Sequence, residues 1–337
     1  MAEKRVTLDD VARLAGVSRA TASRAISGAG PVSESVRQRV AQIANEIGFS
    51  PNQAARALAS SRAHAVALVI PEPNSLVFGD PFLGGLITGV FEVFHDTDYQ
   101  LVLVIMRPDE APIKAGRFLQ ASYVDGAIVV SHHSHNRPEL AEEQQPIPMV
   151  YVGRPWHMKT TMFVDVDNVR GGQLATQRLI DRGARQIACI AGPADMTPVC
   201  DRVEGWQAAL KQAGLEPGPL AHGEFTRHGG AEAMTKLLAM SDSIDAVFAQ
   251  SDLMAAGAIE VLQAGGYSVG DDLLIISMDD SEVARTTMPR LSSVTNPAAE
   301  LAYRASRMLL RVIDDNVLPV DIRPEMLEPK LVLRESA

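Results

Sequence analysis

The sequence predicts an α/β protein with an N-terminal all-α helix-turn-helix unit and a two-lobed core of doubly wound parallel sheets. Three observations lead to this prediction. The first 62 residues hold short helical segments rich in Ser, Thr and Arg. Beyond His64, strand-length apolar runs alternate with helix-length segments, as in parallel sheets covered by helices. Residues 1–63 carry nine basic and five acidic side chains, a charge of +4; because the whole chain carries −10, the remainder carries −14.

Hydroxyl-bearing residues mark the starts of the N-terminal helices. Thr7 is expected to cap the first helix, with Asp10 closing a capping box. Gly16 is expected to end that helix, and Ser18 to cap a second helix over residues 19–27. Two short helices joined by a tight turn are therefore predicted.

The second helix combines small and polar residues. Ala20, Ala22 and Ala25 are expected to pack closely against the neighbouring helices, the third of which is capped by Ser33. The residues expected to remain outside are Arg19, Thr21, Ser23 and Arg24. Such a helix fits the major groove of DNA, where arginine reads guanine with two hydrogen bonds and hydroxyls hold phosphates. Double-stranded DNA is the predicted partner, and the alternative is an ordinary helical bundle with a solvated basic face.

The sequence of residues 52–60 predicts one further short helix, QAARALASS, which is capped by Asn52. It is too short to be stable alone in water, so we expect it to form only on DNA. The alternative is a plain linker whose Leu58 is buried against the core.

Composition limits the class of protein. A chain of 337 residues is too long for one typical domain, and its 46% hydrophobic residues and near-zero mean hydropathy are typical of soluble globular proteins. The longest apolar runs are strand-sized and the first residues lack the apolar stretch of a signal peptide, so we expect no membrane partner and a cytoplasmic location. Cys189 and Cys200 lack the paired spacing of a zinc site, and no metal or cofactor is predicted.

Domain boundaries follow from these patterns. We expect a helix-turn-helix domain over residues 1–51, a hinge helix and linker over 52–63, and a core over 64–337. Strands of the core are predicted at 65–70, 100–105, 126–130, 149–152, 186–191, 246–249 and 273–277. So many strands exceed one sheet, and a second doubly wound unit is expected to start near Phe163. Two lobes imply a cleft between them.

Polar residues follow several of these strands. They are Arg154, Asp165, Asp167, Asp201, Arg202, Ser251, Asp252, Asp279 and Asp280. Open parallel sheets bind ligands beyond the carboxyl ends of their strands. Carboxylates and arginine suit vicinal hydroxyls, and an aromatic ring supplies an apolar face; Phe82, Trp156 and Trp206 are candidates for that face. A sugar-like ligand is therefore expected.

Several of these residues have a purely structural alternative. Asp252 and Asp280 are expected to cap helices rather than bind ligand, and Trp206 is expected in the core. Arg202 could form a structural ion pair. The histidine cluster His132, His133 and His135 is expected in a solvated loop, because no carboxylate lies beside it at metal-site spacing.

The motifs together resemble one family. TLDDVARLAGVS, ATASRAISG, PVSESVRQRV and GFSPNQAARALA at the front, with AGP, DRVEGW, QSDLMAAGA and SMDD in the core, resemble the lac/gal-repressor (LacI/GalR) family of transcription regulators over essentially the whole chain. The resemblance implies a repressor that binds a palindromic operator as a homodimer and responds to a small effector, most often a sugar or glycoside. It also implies a core like that of periplasmic sugar-binding proteins, whose lobes exchange strands: an N-lobe of about 64–162 and 295–322, and a C-lobe of about 163–294 and 323–335.

The resemblance also assigns residue roles. Arg19 and Ala20 would choose bases and Arg24 would point into the groove, while Thr7, Leu8, Ser18, Thr21, Ser23 and Ser33 would lie at the DNA backbone or beside it. Asn52 would start the hinge helix, with Ala55 facing the minor groove and Leu58 wedged between base pairs. The effector contacts would be Arg202 and Asp279, then Asn296, Ser251, Phe82, Leu83 and Asp165, and lastly Arg154. Departures from the family pattern are Ser27 and Ser251, each where Asn is usual, and Ser277 with Met278, where Gly followed by an aromatic is usual.

Two other classes of protein remain as alternatives. A DNA-binding unit fused to a sugar-processing enzyme would turn its ligand over, and an architectural DNA-binding protein would ignore ligands. The sequence contains no P-loop, dinucleotide fingerprint or nucleophile elbow, so no enzymatic activity is predicted.

Overall fold

A computed structural model describes residues 6–27, 30–49, 62–106, 123–134, 147–156, 162–315 and 317–337. The chain divides into two compact units, one up to Ala63 and one from His64 onward. In the described part of the chain, no helix is long and apolar enough to span a bilayer.

The first unit consists of three helices: α1 (Leu8–Ala15), α2 (Arg19–Ser27) and α3 (Glu34–Glu46). Their small core is formed by Val11, Ala12, Ala15, Ala22, Ala25, Val40 and Ala44. The predicted capping box is confirmed, because the Thr7 side chain accepts from the Asp10 N–H and the Asp10 carboxylate accepts from the Thr7 N–H. Gly16 ends α1 with φ 64°, a left-handed conformation that glycine adopts without strain, and Ser18 Oγ accepts from Thr21 N at 3.1 Å.

Two local predictions in this unit are wrong. Ala20 is exposed, since Ala22 and Ala25 share the buried face of α2 and a residue two positions before Ala22 lies on nearly the opposite side. Ser33 occupies the N-cap position of α3, but its side chain makes no capping hydrogen bond; Ser33 Oγ lies 3.3 Å from Ser35 Oγ instead.

The first lobe of the second unit is a six-stranded parallel sheet with the order β11-β5-β4-β3-β1-β2. The strands are β1 (Ala65–Ile70), β2 (Gln100–Ile105), β3 (Gly126–Val129), β4 (Met149–Val152), β5 (Phe163–Val166) and β11 (Glu325–Leu327). Helices α4 (Asn74–Gly79), α5 (Pro81–Phe94) and α11 (Ala298–Ile313) belong to this lobe. Glycine is required where α5 meets α11, because a Cβ at Gly89 would lie 2.1 Å from the backbone oxygen of Ala299.

The second lobe is a six-stranded sheet with the order β12-β10-β9-β8-β6-β7. Its strands are β6 (Ile187–Ala191), β7 (Leu220–His222), β8 (Ala246–Ala249), β9 (Leu274–Asp279), β10 (Ser292–Thr295) and β12 (Leu331–Val332). Its helices are α6 (Asn168–Asp181), α7 (Thr197–Gln212), α8 (Arg227–Met240), α9 (Asp252–Ala264) and α10 (Glu282–Thr286). A 3-10 turn spans Pro319–Asp321. All neighbouring strands are parallel except β10 and β12.

The expected lobe boundaries are wrong by a few residues. The strand that begins at Phe163 pairs with β4, and β11 pairs with β5, so both belong to the first sheet. The chain therefore crosses to the second lobe after Val166, returns after Thr295, and crosses again after Leu327. An apolar run in the sequence shows where a strand lies but not which strand it pairs with.

Candidate ligand cleft and nucleic-acid surface

A cleft of about 760 Å³, its open mouth included, lies at the carboxyl ends of strands from both lobes. Of the eight residues predicted to contact a ligand, the lining includes Arg202, Asp279, Asn296, Ser251, Phe82, Leu83 and Asp165. It also includes residues that the sequence analysis missed, among them Leu76, Asp80, Ser131, His132, Met196, Pro198 and Phe225. The aromatic faces in the lining are those of Phe82 and Phe225, while Trp206 is 1% exposed and belongs to the core as expected.

Arg202 lies on α7 and its side chain is almost completely buried, with 5% of the residue exposed. Its Nε donates to Asn168 Oδ1 at 2.8 Å and its Nη1 donates to the backbone oxygen of Gln250 at 2.9 Å. Nη2 donates to no atom of the described residues. The guanidinium is thus held by neutral groups and not by a direct ion pair, and one nitrogen is left for a ligand in the cleft.

Asp279 is the last residue of β9 and has φ 118°, a conformation that costs energy for any residue except glycine. Its Oδ1 accepts from Asn296 Nδ2 at 3.0 Å. Burial raises the pKa of Asp279 well above its usual range, and the nearby carboxylate of Asp252 raises it further. A strained backbone that holds a buried carboxyl group at a cleft is typical of a binding position.

Asp165 lines the cleft, but its carboxylate is occupied by the protein. Oδ2 accepts from the backbone N–H of Arg154 at 2.7 Å, and Oδ1 accepts from Val166 N at 2.8 Å and Asn168 Nδ2 at 3.0 Å. Burial raises its pKa to about 6. These three hydrogen bonds fix the segment through which the chain passes from the first lobe to α6.

Ser251 also has a structural partner. It is the N-cap of α9, and its Oγ accepts from Met254 N at 3.2 Å. The expectation that Asp252 caps a helix is therefore wrong. The Asp252 carboxylate is 1% exposed as a residue and accepts from Ser277 Oγ at 2.5 Å and from Ser293 Oγ at 2.8 Å.

Asp280 is not a cap either. Ser281 caps α10, with its Oγ accepting from Val283 N, and Asp280 Oδ1 instead accepts from Arg334 Nη2 at 2.5 Å. The reason is the same in both cases: a neighbouring serine takes the cap, and the carboxylate reaches a partner distant in the sequence.

Arg154 does not line the cleft. Its Nη2 donates to both carboxylate oxygens of Asp201, at 2.7 and 2.8 Å. Its backbone oxygen accepts from the Thr197 hydroxyl. Because Arg154 follows β4 of the first lobe while Asp201 and Thr197 lie on α7 of the second, these contacts join the two lobes beside the cleft.

The expectation that the histidines lie in a solvated loop is wrong for His133. Its side chain is 9% exposed, with Nδ1 2.9 Å from Asp195 Oδ2 and Nε2 3.1 Å from Glu72 Oε1. These two carboxylates raise the pKa of His133 to about 9. The pair with Asp195 also crosses between lobes, and Ser131 Oγ donates to Glu72 at 2.5 Å.

His132 is also no solvated side chain: its Nε2 lies 3.1 Å from the backbone oxygen of Gly153, and burial lowers its pKa to about 4. His135 lies outside the described residues. Within the described ranges, no group of three or more His, Cys, Asp or Glu could hold a metal ion.

The predicted DNA-contacting residues of the helical unit lie mostly at its surface. Thr7, Ser18, Arg19, Ala20, Ser23, Arg24 and Ser33 are exposed, and Thr21 is half-buried. The Arg19 side chain is 71% exposed and lies 3.6 Å from Asp9, while Arg24 Nε donates to the backbone oxygen of Ala20 at 3.2 Å. Leu8 packs against the small core. Asn52, Ala55 and Leu58 lie outside the described residues, as does the side chain of Ser27.

A helix-turn-helix unit followed by a two-lobed ligand-binding core defines a class of DNA-binding regulators, and comparison with known proteins specifies the family. The family described as bacterial regulatory proteins, lacI family, matches residues 7–52. The family described as periplasmic binding protein-like domain matches residues 176–337.

The HTH-type transcriptional regulator CelR of Thermobifida fusca is 39% identical to this chain, over 99% of this chain and 98% of the relative. The ribose operon repressor of Escherichia coli (strain K12) is 33% identical, over 98% and 99%. The chain therefore belongs to the LacI family of bacterial transcriptional regulators, which bind DNA through the helix-turn-helix unit.

Solved structures agree with this assignment. The structure of a CelR–cellobiose complex is 37% identical, covers 99% of this chain and 100% of that chain, and superposes with a TM-score of 0.78. The lac repressor dimer bound to operator and the anti-inducer ONPF has a TM-score of 0.86 over 99% of each chain at 22% identity, which shows a common fold.

Proposed function

We propose that this protein represses transcription by binding a palindromic operator as a homodimer, and that a neutral glucose disaccharide such as cellobiose sets its operator affinity. The observation that carries the proposal is the cleft itself. Arg202 from one lobe and Asp80 from the other face it with unused hydrogen-bonding atoms, and Phe82 and Phe225 add apolar surface. Carboxylate, guanidinium and aromatic groups are the set that sugar hydroxyls and sugar ring faces require.

A structural relative supports a disaccharide. A CelR regulator that is 37% identical to this chain has been solved in complex with cellobiose. Arg202, Asp279, Asn296, Ser251, Phe82, Leu83 and Asp165 are proposed as effector residues, with Arg154 acting indirectly through Asp201.

The mechanism needs a coupling between cleft and operator but no bond-making chemistry. Effector binding changes how the two lobes meet, and residues 52–60 are proposed to fold as a hinge helix on DNA in only one of the two arrangements. Asn52 and Ala55 would lie at the minor groove there and Leu58 between base pairs. An allosteric coupling of about 1–3 kcal/mol corresponds to a change of about 5- to 150-fold in operator affinity. The protein acts where its operator lies, in the cytoplasm, and releases its effector unchanged.

Titration calorimetry followed by a mobility shift tests the proposal. Cellobiose is compared with maltose, which has the same two glucose units in α-linkage, and with ribose. We expect cellobiose to bind and to change operator affinity within the range given above. Recovery of glucose after incubation would instead support the enzyme alternative, and operator affinity unaffected by any sugar that binds would contradict the proposed regulation.

A further inference from the structure

Two carboxylates face the cleft, one from each lobe, and each has an oxygen that the protein does not use. Asp80 precedes α5 of the first lobe, and its Oδ1 accepts from Phe82 N at 2.9 Å. Asp279 ends β9 of the second lobe, and its Oδ1 accepts from Asn296. The Oδ2 atoms of both residues accept no hydrogen bond from the residues that the structure describes. The cleft therefore offers a hydrogen-bond acceptor on each side.

Acidic groups outnumber basic groups around these oxygens. Among the described residues that line the cleft, the carboxylates are Asp80, Asp165 and Asp279, and the one guanidinium is that of Arg202. Arg202 is itself 5% exposed, and two of its nitrogens donate hydrogen bonds to neutral groups of the protein. His132 adds no positive charge at neutral pH, because burial lowers its pKa to about 4.

The carboxylates also disturb one another. Burial, together with the charges of Glu72 and Asp252, raises the pKa of Asp80 to about 6. Asp80 in turn contributes to the raised pKa of Asp279. Asp80 and Asp279 both line the cleft, and an environment that disfavours ionisation of a second carboxyl group also disfavours an anionic group of a ligand.

We propose, on the basis of the proposed function, that Asp80 is a specificity residue, and that with Asp279 it selects neutral sugars over phosphorylated and carboxylated ones. A sugar hydroxyl can donate to each unused Oδ2 while a neighbouring oxygen accepts from Arg202 Nη2. A phosphate dianion or a carboxylate at the same place has no proton to donate to either Oδ2. Its negative charge also faces two carboxyl groups, Asp80 and Asp279, but only one guanidinium, that of Arg202. A ligand that donates at both ends also joins α5 of one lobe to β9 of the other.

The test is titration calorimetry on the full-length protein with three matched probes: methyl β-cellobioside, cellobiose 6′-phosphate and cellobionate. The wild type is expected to bind the neutral probe at least about 100-fold more tightly than the phosphate or the carboxylate, because like charges placed together in a binding site are strongly disfavoured. Asp80→Asn, which keeps a side-chain oxygen for the Phe82 N–H, should narrow that ratio about tenfold or more. Asp80→Ser, a second variant that can still cap α5, should narrow it in the same way.

Asp181→Asn is the matched control, since Asp181 is exposed at the end of α6, accepts from Gln177 Nε2 at 2.8 Å and does not line the cleft. It should leave the ratio between neutral and anionic probes unchanged. A wild type that binds all three probes equally, or a ratio unchanged in both Asp80 variants, would overturn the specificity role while leaving the proposed sugar effector in place. Failure of the wild type to bind the neutral probe would overturn the proposed effector class, and the specificity role with it.

Discussion

The helical unit and the cleft are built from contacts of very different range. In the described part of the helical unit, the side-chain hydrogen bonds of the predicted DNA surface join residues two to four apart, such as Thr7 with Asp10 and Ser18 with Thr21. In the cleft, Asn296 reaches Asp279 across 17 residues of sequence, and Arg202 reaches Asn168 across 34. A local surface is encoded by a contiguous motif, whereas the cleft exists only once both lobes have folded.

This difference predicts separable effects. A substitution on α2 should change one helix and its DNA contacts, whereas a substitution in the cleft should change ligand binding and the contacts between lobes. Four comparisons between variants, in decreasing order of expected effect, test the two regions.

The largest effect is expected at Asp279. Asp279→Ala removes the carboxylate that Asn296 holds at the end of β9, so binding of an effector sugar should weaken by about 100-fold or more, as when a charged hydrogen-bonding partner is lost from a buried site. Operator affinity in the absence of sugar should be unchanged. Calorimetry with methyl β-cellobioside measures the first quantity and a mobility shift the second. Equal losses in both would show that cleft and DNA surface do not behave as separate regions.

The next effect is expected at Arg19. Arg19→Ala should weaken specific binding to each operator half-site by about 5- to 150-fold, the value of one bidentate arginine contact to a base, and should leave sugar affinity unchanged. Arg13→Ala is the matched control, because Arg13 is equally exposed, at 69%, but lies on α1 beside Asp10. Similar losses of sequence discrimination in both variants would mean that charge alone, and not position on α2, determines binding.

His133 gives a prediction about pH. Glu72 and Asp195 raise its pKa to about 9, so the folded state binds this proton more tightly than the unfolded state does. The resulting stabilisation is fully present below the unfolded pKa of about 6.5 and is lost as pH rises through about 9. Wild type and His133→Gln should therefore differ in unfolding free energy by roughly 1–2 kcal/mol at pH 6 and hardly at all at pH 10.

Chemical denaturation at a series of pH values measures that difference. His228→Gln is the control, because its imidazole is 84% exposed beside Glu232 on α8. A difference between wild type and His133→Gln that is constant across pH would mean that the imidazole contributes packing and not charge.

The smallest effect is expected at two serines of the helical unit. Ser18→Ala removes the hydroxyl that accepts from Thr21 N and should destabilise α2 by about 1 kcal/mol. Ser33→Ala should change the stability of α3 by much less, because the Ser33 side chain makes no capping hydrogen bond. Amide hydrogen exchange of the full-length protein, read over α2 and α3, compares the two. Equal losses of protection would contradict the difference in capping.

The helices of the first unit could be predicted from sequence because each signal is local. A capping residue, a left-handed glycine and apolar residues at helical spacing all lie within one or two turns of the element they define. The buried strands β1, β6 and β8 were equally clear as short apolar runs. The predicted burial of Ala20 is wrong because residue type alone does not show on which face of α2 a small residue lies. The predicted capping by Ser33 is wrong because a serine at the N-cap position need not direct its hydroxyl toward the helix.

Strand β10 could not be predicted, since its sequence SSVT is polar although Ser292 and Ser293 are fully buried. Their hydroxyls are satisfied by groups far away in sequence: Ser293 by Asp252, and Ser292 by the backbone oxygen of Ala337. For the same reason, the hydrogen-bond partners of His133 and the burial of Asp80 could not be predicted from the sequence. Periodicity and composition indicate that a residue is polar, but its burial depends on partners that only the folded chain supplies.

Two of the three segments that cross between the lobes also contact the residues that line the cleft. The first is followed at once by Asn168, which orients Arg202, and the second by Asn296, which orients Asp279. The two asparagines therefore lie where the chain passes between the lobes and also contact the guanidinium and the carboxylate that line the cleft. We therefore expect a ligand held by Arg202 and Asp279 to act directly on two of the three places where the chain crosses between the lobes.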